Sequence, residues 1–177
     1  MFQLLFLLAS FEAPVDAQPP RPRAVQVTGV HPTARIAREA FVGRGVRVGA
    51  YAEIRDRAFV QAGASVGPSA RVGHDTQVGT NAILGPNADV RDRAFVGARA
   101  RVGQGVTVGH EAVIARDARV GAHTRIGDRV QIGANATVGR GVQLGHDVRI
   151  GPGAVVPDGT RLPDRTVVPA GSRPRRR

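Results

Sequence analysis

Three histidines stand at a fixed interval of 36 residues: His74, His110 and His146. Each follows a glycine and precedes an acid, in the order Asp75, Glu111 and Asp147. An imidazole beside a carboxylate can move a proton to or from a reacting group. Three copies in nearly the same setting also fit a structural repeat, and both readings stay open on the residues alone. The remaining histidines are His31, next to Pro32 in a turn, and His123, which reads as an exposed corner residue. Cysteine is absent, which excludes disulfides, thiolate metal sites and a cysteine nucleophile. No Ser-His-Asp set, phosphate loop or paired-carboxylate site stands out, and no cofactor is expected.

The spacing of the histidines follows from a deeper period. Stepping by six from Val30 to Val168 gives 24 positions, and every one is Val, Ile or Leu. Two residues before each of these, the chain carries only Ala, Thr or Val, and one residue after, Gly in 15 of 24 repeats. Alternate residues of a strand share a face, so both sets point inward and the residue between them points out. The other three residues turn a corner. Gly directly after the aliphatic residue permits a close approach that a Cβ would hinder. Gly and Asn at the third corner position, as in Gly45, Asn81, Asn87, Asn135 and Gly141, suit a positive φ. Three such sides close a triangle of 18 residues. The predicted fold is therefore an all-β parallel β-helix over residues 30–171, a hexapeptide-repeat solenoid of about eight triangular coils. At a strand spacing of about 4.8 Å the prism would be about 38 Å long.

Aligning coils at 18-residue spacing sorts the surface into columns. At the corner before the third side, the second position reads Arg38, Asp56, His74, Asp92, His110, Asp128, His146, Asp164. The third position reads Glu39, Arg57, Asp75, Arg93, Glu111, Arg129, Asp147, Arg165. Both alternate in sign, out of phase with each other, which predicts an ion-pair ladder along the whole prism. The outward positions of the third side include Phe41, Phe59, Phe95 and Val113. An apolar stripe of this kind marks an interface.

The formal charge is +11, and all 25 basic residues are arginines. They are interleaved with acids except in the tail, residues 172–177, which reads as a solvated basic end, with no nucleic-acid partner expected. Residues 1–29 hold an apolar run, Met1 to Phe11, and then a Pro-rich linker. The run is too short to span a membrane. It reads as a short helix, with a cytoplasmic protein as the expectation. The alternative is a signal peptide cut after Ala17, giving a secreted or periplasmic protein, although no basic residue precedes Arg21.

Uninterrupted hexads of this kind resemble the left-handed β-helix acyltransferases. The stretch Phe2 to Phe11, the prolines after it and Gly29-Val30-His31-Pro32-Thr33-Ala34 resemble the lead-in to the β-helix of UDP-3-O-acylglucosamine N-acyltransferases of lipid A synthesis. Ile132 to Thr137 and Val142 to Gly151 resemble that family's segment around its catalytic histidine. The resemblance implies a left-handed coil and a homotrimer. It also implies transfer of an acyl group from acyl carrier protein or coenzyme A to an amine of a nucleotide sugar, with His146 as general base and Asp147 beside it. The chain departs from the family in lacking most of the uridine-binding domain, any loop between hexads and a C-terminal helical region. Those departures keep a second reading open, a non-catalytic scaffold or assembly protein. His74 and His110 are also similar to the signature of hexapeptide-type carbonic anhydrases. There a further histidine would fall at Ala115, so no zinc site is expected.

Overall fold

A computed structural model describes residues 29–173. The expected N-terminal helix and linker, the alternative signal peptide, and all of the basic tail beyond Arg173 lie outside the described residues. The chain folds as a left-handed parallel β-helix with three flat sides. The first side has seven strands, from Arg47–Val48 to Val155–Val156, extended by a bridge from Val30 to Val48. The second side has eight, from Arg35–Ile36 to Arg161–Leu162, and the third has eight, from Phe41–Val42 to Val167–Val168. Each strand is only two residues long and pairs in register with the strand 18 residues on, as Val113 does with Gln131. The bridge at Val30 completes the 24 expected repeats.

The core is a single column of small and medium aliphatic side chains. The residue inward at each strand is Val, Ile or Leu, and Ile54, Leu84, Ile114 and Ile132 are its largest fully buried members. The second inward residue is small because it sits where the triangle narrows. Ala52, Ala70, Ala88 and Ala112 are entirely buried. Where that residue is Thr, its hydroxyl must find an acceptor. Thr76 Oγ1 donates to the carbonyl of Arg91 at 2.9 Å, and Thr124 Oγ1 to that of Gly139 at 2.8 Å.

The corners explain the glycines. At each of the 15 glycines that follow an aliphatic residue, an added Cβ would come within 3.0 Å of the next coil, as at Gly49, where it would meet Pro68 N at 2.5 Å. The third corner position has φ between 55° and 70° in every repeat from Gly45 to Gly171. Fifteen of these residues are not glycine, and they include Tyr51, Arg99 and His123. The left-handed conformation costs an L-residue roughly 1–2 kcal/mol. Stacking of the coils holds the backbone in that conformation, and the corner side chains are turned outward in parallel rows.

Candidate functional site

The histidine column lies along the corner between the second and third sides, and the corner backbone dictates what it does. The second corner residue is the one whose N–H finds no carbonyl on the neighbouring coil; the third-position N–H does find one, as Asp147 N does at Asp128 O, 3.0 Å away. Side chains from the following coil fill that need. Asp92 Oδ1 accepts from His74 N–H at 2.9 Å, Asp128 Oδ1 from His110 N–H at 2.8 Å, and Asp164 Oδ1 from His146 N–H at 2.8 Å. Asp158 does the same for Arg140 at another corner. Each of these four carboxylates occupies the space above a glycine: Gly73, Gly109, Gly145 and Gly139. The glycine's missing side chain is therefore a slot for the next coil's Asp.

His146 takes part in the same chain of caps. Its Nδ1 accepts the backbone N–H of Asp128 at 3.1 Å, so four consecutive coils are linked from His110 through Asp128 and His146 to Asp164. In that arrangement the neutral ring carries its proton on Nε2. The Asp128 Oδ2 atom is 3.5 Å from the same Nδ1, a contact that becomes an ion pair when the ring is protonated. The imidazole is exposed. His110 and His74 occupy equivalent corners and are half-buried, with His110 Nδ1 3.9 Å from Asp92 Oδ2.

Asp147 is brought not to His146 but to Arg129. The guanidinium forks onto both carboxylate oxygens, Nε to Oδ1 at 2.8 Å and Nη2 to Oδ2 at 2.9 Å. This hydrogen-bonded arginine holds the Asp147 carboxyl below the ordinary carboxylate range. The carboxylates in contact with His146 are thus Asp128, at its ring, and Asp164, at its backbone N–H, which neighbour it along the prism rather than along the chain. Sequence reasoning placed both of them in its column as charge partners of His146 in the ladder, and did not foresee that they cap backbone N–H groups.

The charge columns differ from the expected continuous ladder. The third-position residues form separate pairs, Arg57–Asp75, Arg93–Glu111 and Arg129–Asp147. Arg57 takes both oxygens of Asp75, and the arginine one coil further on, Arg93, reaches Glu111 instead. Three second-position acids, Asp92, Asp128 and Asp164, each give one oxygen to a backbone N–H group. The alternation in sign is real, but the contacts run in one direction, each arginine reaching the acid of the following coil. The same motif recurs once at the corner between the third and first sides, Arg99 to Asp117.

On the third side Phe41, Phe59, Phe95 and Val113 are all exposed in one line. The rings of Phe41 and Phe59 stack at 4.6 Å with an interplanar angle of 11°. Further along the same side lies a shallow, mainly apolar groove bordered by Val113, Gln131, Arg149, Pro152 and Val167. Among the described residues, no three His, Asp or Glu side chains are close enough to hold a metal ion. No helix among them is long and apolar enough to cross a membrane.

Two repeat families match this solenoid. Residues 123–158 match the bacterial transferase hexapeptide, described as six repeats, and residues 91–115 match the hexapeptide repeat of succinyl-transferase. Both matches are to hexapeptide repeats, the unit from which this solenoid is built. No curated protein sequence matches the chain. Solved structures share the fold of this hexapeptide protein. A proposed acetyltransferase of Bacillus cereus aligns with a TM-score of 0.53 at 19% identity, over 77% of this chain and 69% of its own. A UDP-N-acetylglucosamine acyltransferase aligns with a TM-score of 0.57 at 16% identity, over 78% and 70%. WeeI of Acinetobacter baumannii aligns with a TM-score of 0.53 at 21% identity, over 55% and 48%, so the chain covers about half of that protein. At these identities the likeness is one of fold.

Proposed function

We propose that this hexapeptide protein is an acyltransferase that moves an acyl group from a thioester, on acyl carrier protein or coenzyme A, to the amine of a nucleotide sugar. The observation that carries the reading is the pair of transferase-type repeat matches, one of which, over residues 123–158, spans His146 and Asp147. The amine nitrogen attacks the thioester carbonyl, the new C–N bond forms, the C–S bond breaks, and the products are an amide and a thiol. His146 is the base that takes the amine proton. To receive it on the solvent-facing Nε2, the ring must carry its other proton on Nδ1, where Asp128 Oδ2 lies 3.5 Å away. Asp128 then orients the ring, while Asp147, held by Arg129, stiffens the corner beneath it. The apolar groove of the third side suits an acyl chain. The stripe of Phe41, Phe59, Phe95 and Val113 is the face on which three copies associate.

The caps favour a second reading, a non-catalytic scaffold. The hydrogen bond from Asp128 N–H to His146 Nδ1 gives the imidazole a purely structural task and puts the proton on Nε2, the wrong atom for a base. The test is acyl transfer from acyl carrier protein and from coenzyme A thioesters to UDP-glucosamine derivatives. It compares wild type, His146→Ala and Asp128→Asn, with thermal midpoints measured on the same samples. Activity in wild type that is lost in His146→Ala at an unchanged midpoint supports the enzyme. No transfer by wild type, or a loss that tracks a lowered midpoint, supports the scaffold.

A further inference from the structure

The first side carries a charge arrangement that neither reading uses. Its outward residues in consecutive strands are Arg101, Arg119 and Thr137. Arg101 and Arg119 are partners in register on adjacent strands, one coil apart. Like charges placed directly opposite each other destabilise a sheet. On the second side the chain avoids this. There Arg71 lies between Glu53 and Asp89, its register partners on the two neighbouring strands.

The neighbouring corner does not balance that charge. Its one carboxylate, Asp117, is claimed on both oxygens by Arg99, at 2.8 Å each. Arg116 and Arg119 also draw on that carboxylate electrostatically, so three arginines share a single acid. Neither Arg101 nor Arg119 forms an ion pair among the described residues. Arg101, Arg119, Asn135 and Thr137 border a polar recess on this face, with Arg99 and Asp117 closing one edge.

We infer that the recess framed by Arg101 and Arg119 is a binding site for the phosphate group of a small phosphorylated ligand. Two guanidinium forks one strand spacing apart, about 4.8 Å, can each donate a pair of hydrogen bonds to a phosphate between them. The Thr137 hydroxyl and the Asn135 amide add neutral donors that a simple cationic surface would lack. A bound dianion also removes the like-charge repulsion, so its binding stabilises the coil stack. The site stands apart from the His146 corner and does not depend on the acyl-transfer reading.

Titration calorimetry of inorganic phosphate into the full chain at low ionic strength tests this, beside thermal midpoints with and without phosphate. Wild type should bind one phosphate saturably and gain in midpoint. Arg101→Gln and Arg119→Gln should each weaken binding about tenfold or more, the size expected for losing charge-assisted hydrogen bonds. Both variants should keep or raise the midpoint of the phosphate-free protein, because each relieves the repulsion. Arg71→Gln, which removes the same charge from the second side, should change binding less than about twofold. Absence of saturable binding by wild type overturns the inference. So does an equal loss in Arg71→Gln, which would reduce the effect to the protein's overall positive charge.

Discussion

The Asp164 carboxylate accepts the backbone N–H of His146 at 2.8 Å across one coil, in the space left by the missing side chain of Gly145. The glycine and the aspartate are thus two halves of one device, although 19 positions separate them in the chain. The pairing repeats at Gly73 with Asp92 and at Gly109 with Asp128.

Gly145→Ala therefore loses the slot. Its Cβ would overlap the Asp164 carboxylate and meet the Asp164 backbone nitrogen at 2.7 Å, contacts that force the coils apart. The expected cost is about 1–3 kcal/mol, the range for overpacking, read from chemical denaturation. Gly141→Ala is the control. It has nothing within 4 Å but a φ of +62°, and should lose only the left-handed backbone cost of about 1–2 kcal/mol. A Gly145→Ala protein as stable as wild type would show that the capping geometry is not needed.

Tyr51 offers a substitution in the opposite direction. It is 73% exposed and has a φ of 57°, so its side chain contributes little packing at a strained corner. Tyr51→Gly should raise stability by about 0.5–1 kcal/mol, the relief of the left-handed conformation less the backbone entropy of glycine. Tyr51→Val should lower it, since a β-branched residue tolerates this conformation least. Equal thermal midpoints for the Gly and Val proteins would contradict the strain account.

Acid should weaken the fold in a definite window. In the pairs Arg57–Asp75, Arg99–Asp117 and Arg129–Asp147, the hydrogen-bonded arginine holds each carboxyl below its ordinary value of 3.8. A carboxyl lowered by folding adds stability that is complete above the ordinary value and lost as pH falls through the lower, folded-state value. The pairs are on the surface, so the effect is modest and shrinks with salt. Replacing Asp75, Asp117 and Asp147 together by Asn should flatten the fall of the thermal midpoint below the ordinary carboxylate value. An unchanged slope in calorimetry across that range would assign the acid response to other groups.

The stacked Phe41 and Phe59 give the association face a simple assay. Phe59→Arg places a charge in the centre of the stripe, next to Phe41 and Gln77 on the adjoining strands. If three copies meet there, light scattering should show a trimer for wild type and a monomer for the variant, with the same circular dichroism. A monomeric wild type would refute the association itself.

The interior was legible in the sequence because a single physical demand repeats at every sixth residue. Val30 through Val168 had to be aliphatic, and the glycines after them marked the close approach now seen between Gly49 and Pro68. Gly45 and Asn81 correctly signalled the positive φ, but Tyr51 and Arg57 share it without any signal of their own. There the stacked coils override local preference. The surface was legible as columns but not as contacts. Alternating signs at Asp75, Arg93 and Glu111 did not reveal that Arg57 would occupy both Asp75 oxygens. Nor did the His146–Asp147 adjacency reveal that corner geometry sends those side chains to different partners. Which partner a side chain reaches depends on corner dihedrals that residue types alone do not report.

The in-register pairing of every strand with the one 18 residues away means that interior and exterior obey different clocks. The interior repeats after six residues, so excising a single hexad would leave the column of aliphatic side chains in phase. Yet everything downstream would turn by one third of a revolution. With a hexad lost between Phe59 and Asp75, Arg57 would lose Asp75 and Asp147 would carry its column onto another edge, while Phe95 and Val113 would part company with Phe41 and Phe59. Only whole coils can be added or removed without scrambling the outside, and lineages of this protein should differ in length by multiples of 18.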